Sequence, residues 1–370
     1  MGIRIEPYTA EEDAAAARAL NQRLRAHNQT EYLLSESPPT PEPADAAIHN
    51  RYYLVHDDDA VRGGFLLAEF PAGFAGGQAA AALNAREPLS EALIDSKYAL
   101  LGLRILKFME RQGPHLFALG MGSESRPFPR LLKGAQWDLR QVPFLFRVVR
   151  ARRFLLELQM LRTSPARRML AAAAAFTGLG KAGIALLQFR AGVSALSLGG
   201  LSLDPVRAWD AWVDDLWAQC RPGCSFAVSR DLRTVRELYP LDGQHRGYVV
   251  RRQGRPVGWM SARLSQMRGH KYFGDLQVAT LLDGVALPGA RRGCVTLVSR
   301  ALEREGADLL VTNQSHVEWV AAFRAAGYLR GPSNYILALS KRLAADIASQ
   351  PGGFARMHFT RGDSDGRIHL

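Results

Sequence analysis

The sequence of 370 residues predicts an α/β (α+β) protein with two consecutive copies of one unit, and two observations support this. A β-hairpin pattern with a polar turn occurs once in each half, over residues 51–70 and 247–263. Further along each half, an apolar strand pattern leads into a helix pattern that ends in or near a glycine-aromatic pair, at 116–137 and 307–328. The chain is long enough to form two such domains.

The first half begins with alternating apolar and polar residues over 3–5, which indicate a short strand. A helix pattern follows from Thr9, a suitable N-cap before an acidic first turn, and continues to Leu24. A proline-rich loop then precedes the hairpin. The remaining elements predicted in this half are a helix over 100–111 and strands over 116–119 and 142–149.

Residues 151–203 belong to neither copy and are predicted to form hydrophobic and basic linker helices. A membrane-spanning helix needs about 20 apolar residues, and Lys181, together with glycines and a threonine, interrupts the apolar run. The sequence therefore favours a helix that covers a domain face. Peripheral contact of residues 167–188 with the inner face of a membrane, anchored by Arg162, Arg167 and Arg168, stays open as an alternative.

The second half begins with an amphipathic helix pattern over 204–218 and then repeats the unit. The last residues are rich in glycine, arginine and aspartate, a composition typical of a disordered tail. The predicted organisation is an N-terminal domain over 1–150, the linker helices over 151–203, a C-terminal domain over 204–345 and a disordered tail over 346–370.

The formal net charge of +12 favours anionic partners, such as phosphate-bearing cofactors, acidic polysaccharides, nucleic acids or an anionic membrane surface. Nucleic-acid binding is not favoured, because the basic residues are dispersed and form no known reading motif. The cysteines Cys220, Cys224 and Cys294 are sparse and odd in number, which indicates a reducing compartment and no metal site. A cytoplasmic protein is expected, since no apolar run follows the first charged residues, and the oligomeric state stays open.

The order of elements in each half (strand, helix, hairpin, strand, helix, strand, helix, strand) resembles the GNAT (Gcn5-related N-acetyltransferase) superfamily. The stretch 323–329 resembles the aromatic-x-x-x-Gly-aromatic helix ending of that family, and the hairpin 251–259 resembles its second and third strands. The stretch 132–137 is similar, but Gln136 stands where glycine is usual. The resemblance implies two consecutive GNAT-like domains, each with a mixed, mainly antiparallel sheet flanked by helices.

The resemblance also implies an acyl-CoA-dependent N-acyltransferase, with acetyl-CoA or another acyl-CoA as co-substrate and no metal. Its acceptor would be an amine of a small molecule or a saccharide precursor. In that family a splayed strand receives the pantetheine arm, and the N–H groups of a loop that opens a helix hold the pyrophosphate. The stretch 288–294 resembles that loop, whereas 95–104 is further from the pattern, so the first copy is expected to have lost the cofactor site. The implied cofactor-binding residues are Arg291, Arg292, Gly293, Cys294 and Asn313.

Acyl transfer needs a base for the attacking amine and an acid for the leaving thiolate. Asp275 and His270 are the candidate bases. Asp275 would have a raised pKa if it lay buried in an apolar strand, and the alternative is an exposed aspartate at the end of that strand. The family often places a tyrosine acid four residues before the helix-ending glycine. Phe323 and Leu132 stand there in this chain and cannot donate a proton. His316 is expected to be a solvated loop histidine.

The missing acid and the incomplete phosphate loops leave two alternatives open. The first is a catalytically inactive tandem GNAT-like protein that acts as a binding protein or scaffold. The second is an aminoacyl-tRNA-dependent transferase, which the basic charge permits although no motif supports it.

Overall fold

The structure, a computed structural model, describes residues 2–9, 11–38, 40, 42–43, 45–191, 198 and 200–364. The strands are β1 (Ile3–Pro7), β2 (His49–Asp57), β3 (Ala60–Phe74), β4 (Ala79–Ser90), β5 (Leu116–Leu119), β6 (Asp138–Gln141), β7 (Phe144–Val148), β8 (Leu201–Pro205), β9 (Phe226–Val228), β10 (His245–Arg252), β11 (Arg255–Gln266), β12 (Gln277–Ala286), β13 (Leu309–Asn313), β14 (Leu329–Gly331), β15 (Ile336–Leu339) and β16 (Met357–His358). The helices are α1 (Glu11–Ala26), α2 (Leu101–Gln112), α3 (Pro127–Gly134), α4 (Ala151–Glu157), α5 (Pro165–Thr177), α6 (Leu179–Ala191), α7 (Trp212–Cys220), α8 (Leu232–Leu238), α9 (Arg291–Arg304), α10 (Val317–Ala325) and α11 (Lys341–Ser349).

The described residues form two compact units. The first unit contains residues from 1–74, 78–141 and 334–350, and its sheet has the strand order β1-β2-β3-β4-β5-β15-β6. Strands β4 and β5 are parallel, and the other neighbours in this order are antiparallel. Helix α2 buries one apolar face against this sheet, because its apolar residues recur at helical spacing.

The second unit contains residues from 75–77, 142–333 and 351–370, and its sheet has the order β14-β7-β13-β12-β11-β10-β8. Strands β12 and β13 are parallel, and the other neighbours are antiparallel. Helix α9 packs on this sheet through Val295, Val298 and Leu302, which are fully buried. The predicted fold class, two mixed and mainly antiparallel sheets flanked by helices, is confirmed.

Each unit takes one strand from the other half of the sequence. Strand β7 belongs to the sheet of the second unit, where it lies between β13 and β14, and β15 lies between β5 and β6 in the first unit. This division differs from the predicted domain boundaries at residues 150 and 345. Apolar alternation identifies a strand but carries no information about which sheet it joins.

The C-terminal segment is ordered as far as it is described. Helix α11 ends at Ser349, and Phe359, Thr360 and Asp363 have no exposed surface. The prediction of a disordered tail is therefore wrong for residues 346–364, and 365–370 lie outside the described residues. The composition was misleading because a few buried side chains, rather than a continuous apolar pattern, hold this segment in place.

The linker region forms α4, α5 and α6. No single helix of the described chain is long and apolar enough to cross a membrane. Helices α5 and α6 taken together have the length and composition of a membrane span, but the pair is bent by 85°. The predicted covering role is only partial: Ile184 packs on a core cluster and Gln188 Oε1 accepts from the Val148 N–H at 2.7 Å. Much of both helices faces solvent.

Candidate active site

The parallel strands β12 and β13 separate towards their carboxyl ends. They pair only where Val278–Thr280 lies beside Leu309–Val311, although both strands continue further. Beyond this point the Thr312 hydroxyl donates to the Leu281 carbonyl at 2.8 Å and so replaces a main-chain bond of the sheet. The two strands of the second unit therefore diverge beyond Thr280 and Val311, and we call the region where they separate the opening.

A buried polar network lies beside this opening, centred on Asp283 of β12. The Asp283 carboxylate accepts hydrogen bonds from Arg230 Nε, from the Tyr239 hydroxyl at 2.6 Å and from the Gly284 N–H at 2.8 Å. His358 Nε2 lies 3.3 Å from the same carboxylate. The far side of the Arg230 guanidinium donates to Asp363 Oδ1 at 2.7 Å, so one arginine bridges two carboxylates that have no exposed surface.

Opposing effects act on the two carboxylates. Burial alone would raise the pKa of Asp283, but Arg230 and the hydrogen bonds from His358 and Tyr239 hold this pKa well below its usual range. Burial raises the pKa of Asp363, against the pull of Arg230. Burial also raises the pKa of Tyr239 well above its usual value. Asp283 is thus a fixed anion, and Tyr239 does not ionise near neutral pH.

The C-terminal segment 357–363 fills the space beside the opening. It contacts β12 through the network just described. It also contacts the end of β13, where Arg361 Nε donates to Asn313 Oδ1 at 2.9 Å. Just beyond, the Ser315 N–H donates to the Phe359 carbonyl at 3.1 Å, and the Phe359 N–H donates to Ser315 Oγ at 2.7 Å. The chain's own C-terminal segment therefore joins the two strands where their pairing has ended.

Helix α9 follows β12 directly and brings the predicted phosphate loop to the same end of the sheet. Its N-cap, Ala290, has no side-chain cap bond, and Arg292 is half-buried in the first turn. Arg291 is more buried, forms an ion pair with Glu318 and lies over the ring of Trp319 at 6.0 Å. An uncapped helix N-terminus beside a cationic side chain is suited to phosphate.

The other predicted cofactor residues have structural surroundings. A Cβ at Gly293 would lie 2.5 Å from Leu201 Cδ1, so this glycine permits β8 to pack against α9. Cys294 is fully buried in the core, and burial raises the pKa of its thiol to about 12. Asn313 is buried and its Nδ2 lies 3.4 Å from the carbonyls of Val142 and Pro143.

The two candidate bases lie together, at the opposite end of β12. Asp275 is exposed and its carboxylate accepts from the Gly269 N–H at 2.7 Å. The sequence left open whether Asp275 is buried in the strand or exposed at its end, and the structure shows it exposed, because β12 begins only at Gln277. From Gln277, β12 runs for roughly 13 Å to Leu281, where the opening begins, and for roughly 20 Å to Asp283. Both candidate bases are therefore separated from the polar network and from the opening.

His270 shares this turn with Asp275. Its Nδ1 accepts from the N–H groups of Tyr272 at 3.2 Å and Phe273 at 3.3 Å, and its ring stacks on Phe273. Burial, and then the charge of Lys271, lowers the pKa of His270. This histidine is neutral near pH 7 and holds the turn together.

His316 is buried rather than solvated, which corrects the expectation from the sequence. It is the N-cap of α10, where Nδ1 accepts from the Glu318 N–H at 3.2 Å, and Nε2 lies 3.2 Å from the Gly223 carbonyl. Burial lowers its pKa to about 4. The only signal in the sequence that His316 caps a helix was its position directly before α10, since histidine is not a usual N-cap residue.

The buried network was missed by sequence reasoning. The single available signal was Asp283, a charged residue within the apolar strand β12. Its partners Arg230, Tyr239, His358 and Asp363 are distant in sequence and share no spacing that would connect them. In the described part of the chain, no group of three or more histidine, cysteine or carboxylate side chains is arranged to hold a metal ion.

The first unit has a similar opening but a different turn. Its parallel strands pair only where Leu83–Asn84 lies beside Leu116–Phe117. Between β4 and α2, where a phosphate loop would lie, the buried carboxylate of Glu91 binds Arg23 at 2.6 Å and Arg62 at 2.9 Å. A buried anion already uses the cations that a phosphate would need at this turn.

Comparison with known proteins gives similarity in structure alone. No protein-family model and no curated protein sequence matches the chain. A GCN5-related N-acetyltransferase from Anabaena variabilis ATCC 29413 is similar with a TM-score of 0.51 and 12% identity, over 94% of this chain and 75% of that one. A conserved protein of unknown function from Enterococcus faecalis V583, described as a probable N-acyltransferase, has a TM-score of 0.51 and 10% identity, over 91% and 72% of the two chains.

A tandem GNAT protein from the clavulanic acid biosynthesis pathway also matches, over 92% of this chain and 99% of that one, at 13% identity. Its TM-score of 0.45 is too low to support an argument. The two better superpositions extend over both units and show the fold.

Proposed function

We propose that this chain, which has the GNAT fold in two consecutive copies, is an acyl-CoA-dependent N-acyltransferase that holds its cofactor in the second unit. The observation that carries the proposal is the opening between β12 and β13 directly beside the uncapped, basic N-terminus of α9. The names of the two structures similar at a TM-score of 0.51 support acyl transfer as the class of reaction.

In this proposal the pyrophosphate of CoA binds the first N–H groups of α9 and the Arg292 guanidinium. Arg291 acts indirectly, because its ion pair with Glu318 fixes the first turn of α9 against α10. Gly293 and Cys294 support the loop by close packing, and Asn313 lies at the strand end beside the pantetheine path. The first unit would shape the acceptor site or support the structure, since Glu91 occupies its phosphate turn.

We propose that the transferred group is an acetyl group. We propose that the acceptor is an amine of a small molecule or of a saccharide precursor. For Asp275 and His270 the role of base remains a prediction, and the separation of roughly 13 Å along β12 from the opening argues against it. A base must come within hydrogen-bond reach of the attacking amine, directly or through one water. A reducing cytoplasmic location is likewise proposed from the sparse cysteines.

A second candidate function, a binding protein or scaffold without catalysis, has its own supporting observation. The C-terminal segment 357–363 lies beside the opening and is held there by Arg230 and Arg361. Acyl-CoA would have to displace part of this segment or pass along its edge. A catalytically inactive protein would not need to keep the opening accessible to acyl-CoA.

The deciding experiment is calorimetric titration of the full chain with acetyl-CoA and with CoA. We expect saturable binding that Arg292→Ala weakens by about ten- to a hundredfold, the effect of losing one charged hydrogen bond to phosphate. The matched control is Arg300→Ala, which removes an exposed arginine from the same helix. Binding that Arg292→Ala leaves unchanged would contradict the placement in the second unit.

Absence of binding of both ligands to the parent chain would contradict acyl transfer from CoA and favour the scaffold. A parallel titration with aminoacyl-tRNA tests the remaining alternative, whose affinity should fall steeply with salt. Saturable, salt-sensitive tRNA binding without CoA binding would favour that transferase.

A further inference from the structure

An exposed apolar surface covers α5 and α6, and we call it the hairpin surface (residues 165–191). Seven large apolar side chains in this range are each more than half exposed, namely Met169, Leu170, Phe176, Leu179, Leu186, Leu187 and Phe189. No other stretch of comparable length in the described chain exposes as many. Soluble proteins seldom leave such a continuous apolar patch open unless it binds something.

The inner side of α6 holds the hairpin surface on the second unit. Gly180, Ile184 and Gln188 recur every four residues and face inwards, where Gly180 allows close approach of Leu155 and Gln188 accepts a main-chain hydrogen bond. Leu179 and Leu186, seven residues apart, lie on the opposite side of the same helix, and Leu187 lies between the two sides. The hairpin surface is therefore a fixed and outward-facing part of the second unit.

The charged residues within residues 158–203 are all basic, and of these Arg162 lies 3.9 Å from the carboxylate of Glu157, which directly precedes the stretch. No aspartate or glutamate occurs from residue 158 to residue 203, whereas that stretch contains Arg162, Arg167, Arg168, Lys181 and Arg190. Within the described residues, Arg167 has only the Thr163 hydroxyl as a side-chain partner, at 3.3 Å. Both Arg167 and Arg168 are exposed beside Met169 and Leu170.

We propose that the hairpin surface binds the interface of an anionic lipid bilayer. Each helix has 13 residues, which gives a length of about 20 Å, shorter than the hydrocarbon core of about 30 Å. The bend of 85° prevents the pair from forming one straight span. Short helices with apolar side chains and flanking arginines lie in the interface, where the side chains enter the acyl region and the arginines meet lipid phosphates.

Charge complementarity favours the bilayer over a second copy of this chain. Two copies joined through this surface would bring together two acid-free basic segments and two chains of net charge +12. An anionic leaflet instead supplies the negative charge that the hairpin surface lacks. The proposal is independent of acyl transfer, because it uses none of the residues placed at the opening.

Vesicle flotation of the full chain tests the proposal. Vesicles of phosphatidylglycerol and phosphatidylcholine in equal parts should bind the protein, and vesicles of phosphatidylcholine alone should bind it far less. Arg167→Gln with Arg168→Gln should lower the partition coefficient by about fivefold for each arginine. Arg300→Gln is the matched control, since it removes an exposed arginine outside the hairpin surface.

The apolar contribution is tested with Leu170→Ser together with Leu187→Ser. Each lost side chain should weaken binding by about tenfold or more. Leu100→Ser, an exposed leucine of the first unit, is the control. These sites are exposed, so thermal unfolding should be unchanged and a loss of binding can be assigned to the surface.

Three results would overturn the proposal. They are equal binding to both kinds of vesicle, no binding to either, and binding that is unchanged in both the double arginine variant and the double leucine variant of the hairpin surface. A change of oligomeric state in the leucine variant, seen by sedimentation without any effect on flotation, would instead identify the surface as an interface between copies.

Discussion

The two buried carboxylates of the polar network should respond very differently to the same substitution. Asp283 accepts from four donors, namely Arg230, Tyr239, His358 and the following N–H. Asp363 accepts from Arg230 and from the N–H of Thr360 at 2.8 Å. Asparagine keeps one oxygen and turns the other into a donor, so Asp283→Asn loses about two charged hydrogen bonds and Asp363→Asn about one.

The magnitude follows from these contacts. A hydrogen bond to a charged group contributes about 1.5–3 kcal/mol, so Asp283→Asn should lower the free energy of unfolding of the second unit by about 3–6 kcal/mol. Asp363→Asn should lower it by about 1–3 kcal/mol, and less if Asp363 is already partly protonated, because burial raises the pKa of Asp363. The half-exposed ion-pair residue Asp204 is the matched control, and Asp204→Asn should change stability by less than about 1 kcal/mol.

The assay is urea unfolding followed by hydrogen exchange of β12 and β13, which reports on the second unit rather than on the whole chain. The reasoning is refuted if Asp363→Asn destabilises as much as Asp283→Asn. It is also refuted if Asp283→Asn falls within the range of the control.

The pH dependence of the network has a definite sign. The folded pKa of Asp283 is depressed, so its contribution is complete above its unfolded pKa of about 3.9 and is lost as the pH falls through the lower folded value. The raised pKa of Asp363 acts in the opposite direction. The stabilities of the parent chain and of Asp283→Asn should therefore begin to converge as the pH falls below ~4 and should continue to do so towards the lower folded pKa.

The remaining predictions concern positions around the predicted loop. Gly293→Ala should lower the free energy of unfolding by no more than about 1 kcal/mol, because the Leu201 Cδ1 atom that the new Cβ meets ends a side chain that can turn away, and alanine favours the helix. Gly289→Ala, where a Cβ meets nothing within 4 Å, should be neutral in urea unfolding. Cys294 should resist a thiol reagent at pH ~8 until the chain unfolds, because its pKa is about 12 and it is buried; fast labelling of Cys294 in the native chain would contradict its burial. His316 should stay neutral in an NMR titration down to about pH 4. Its protonation therefore opposes folding as the pH falls below its unfolded pKa of about 6.5. Titration of His316 near that unfolded value in the native chain would show that the ring is solvated.

The sequence predicted the fold class because its signals are local. The hairpins over 51–70 and 247–263 correspond to β2–β3 and β10–β11, and the apolar spacing of 100–111 corresponds to α2. The position of the loop that opens α9 was also readable, since a strand pattern, a glycine-containing turn and a helix pattern follow one another there. These features depend on residues that are neighbours in the chain.

The candidate site was less readable, as Asp275 and His316 show. Asp275 stands next to apolar residues yet lies outside β12, because the turn held by His270 ends only at Gly274. His316 stands in a polar stretch yet is buried, because other parts of the second unit pack against it: its Nε2 lies 3.2 Å from the Gly223 carbonyl and its ring centroid 6.2 Å from that of His358. Burial depends on what packs against a residue, and one sequence does not contain that information.

The sequence by itself determined two α/β units, the main strands and helices, and the basic, acid-free character of the linker. Only the tertiary structure showed that β7 lies in the sheet of the second unit and β15 in the sheet of the first. It also showed that Arg230 bridges Asp283 and Asp363, and that the segment 357–363 joins the ends of β12 and β13. The physical reason is the range of the interactions. Periodicity and turn chemistry act over a few residues, whereas strand pairing and buried charge pairs join residues far apart in the chain and form only in the packed molecule.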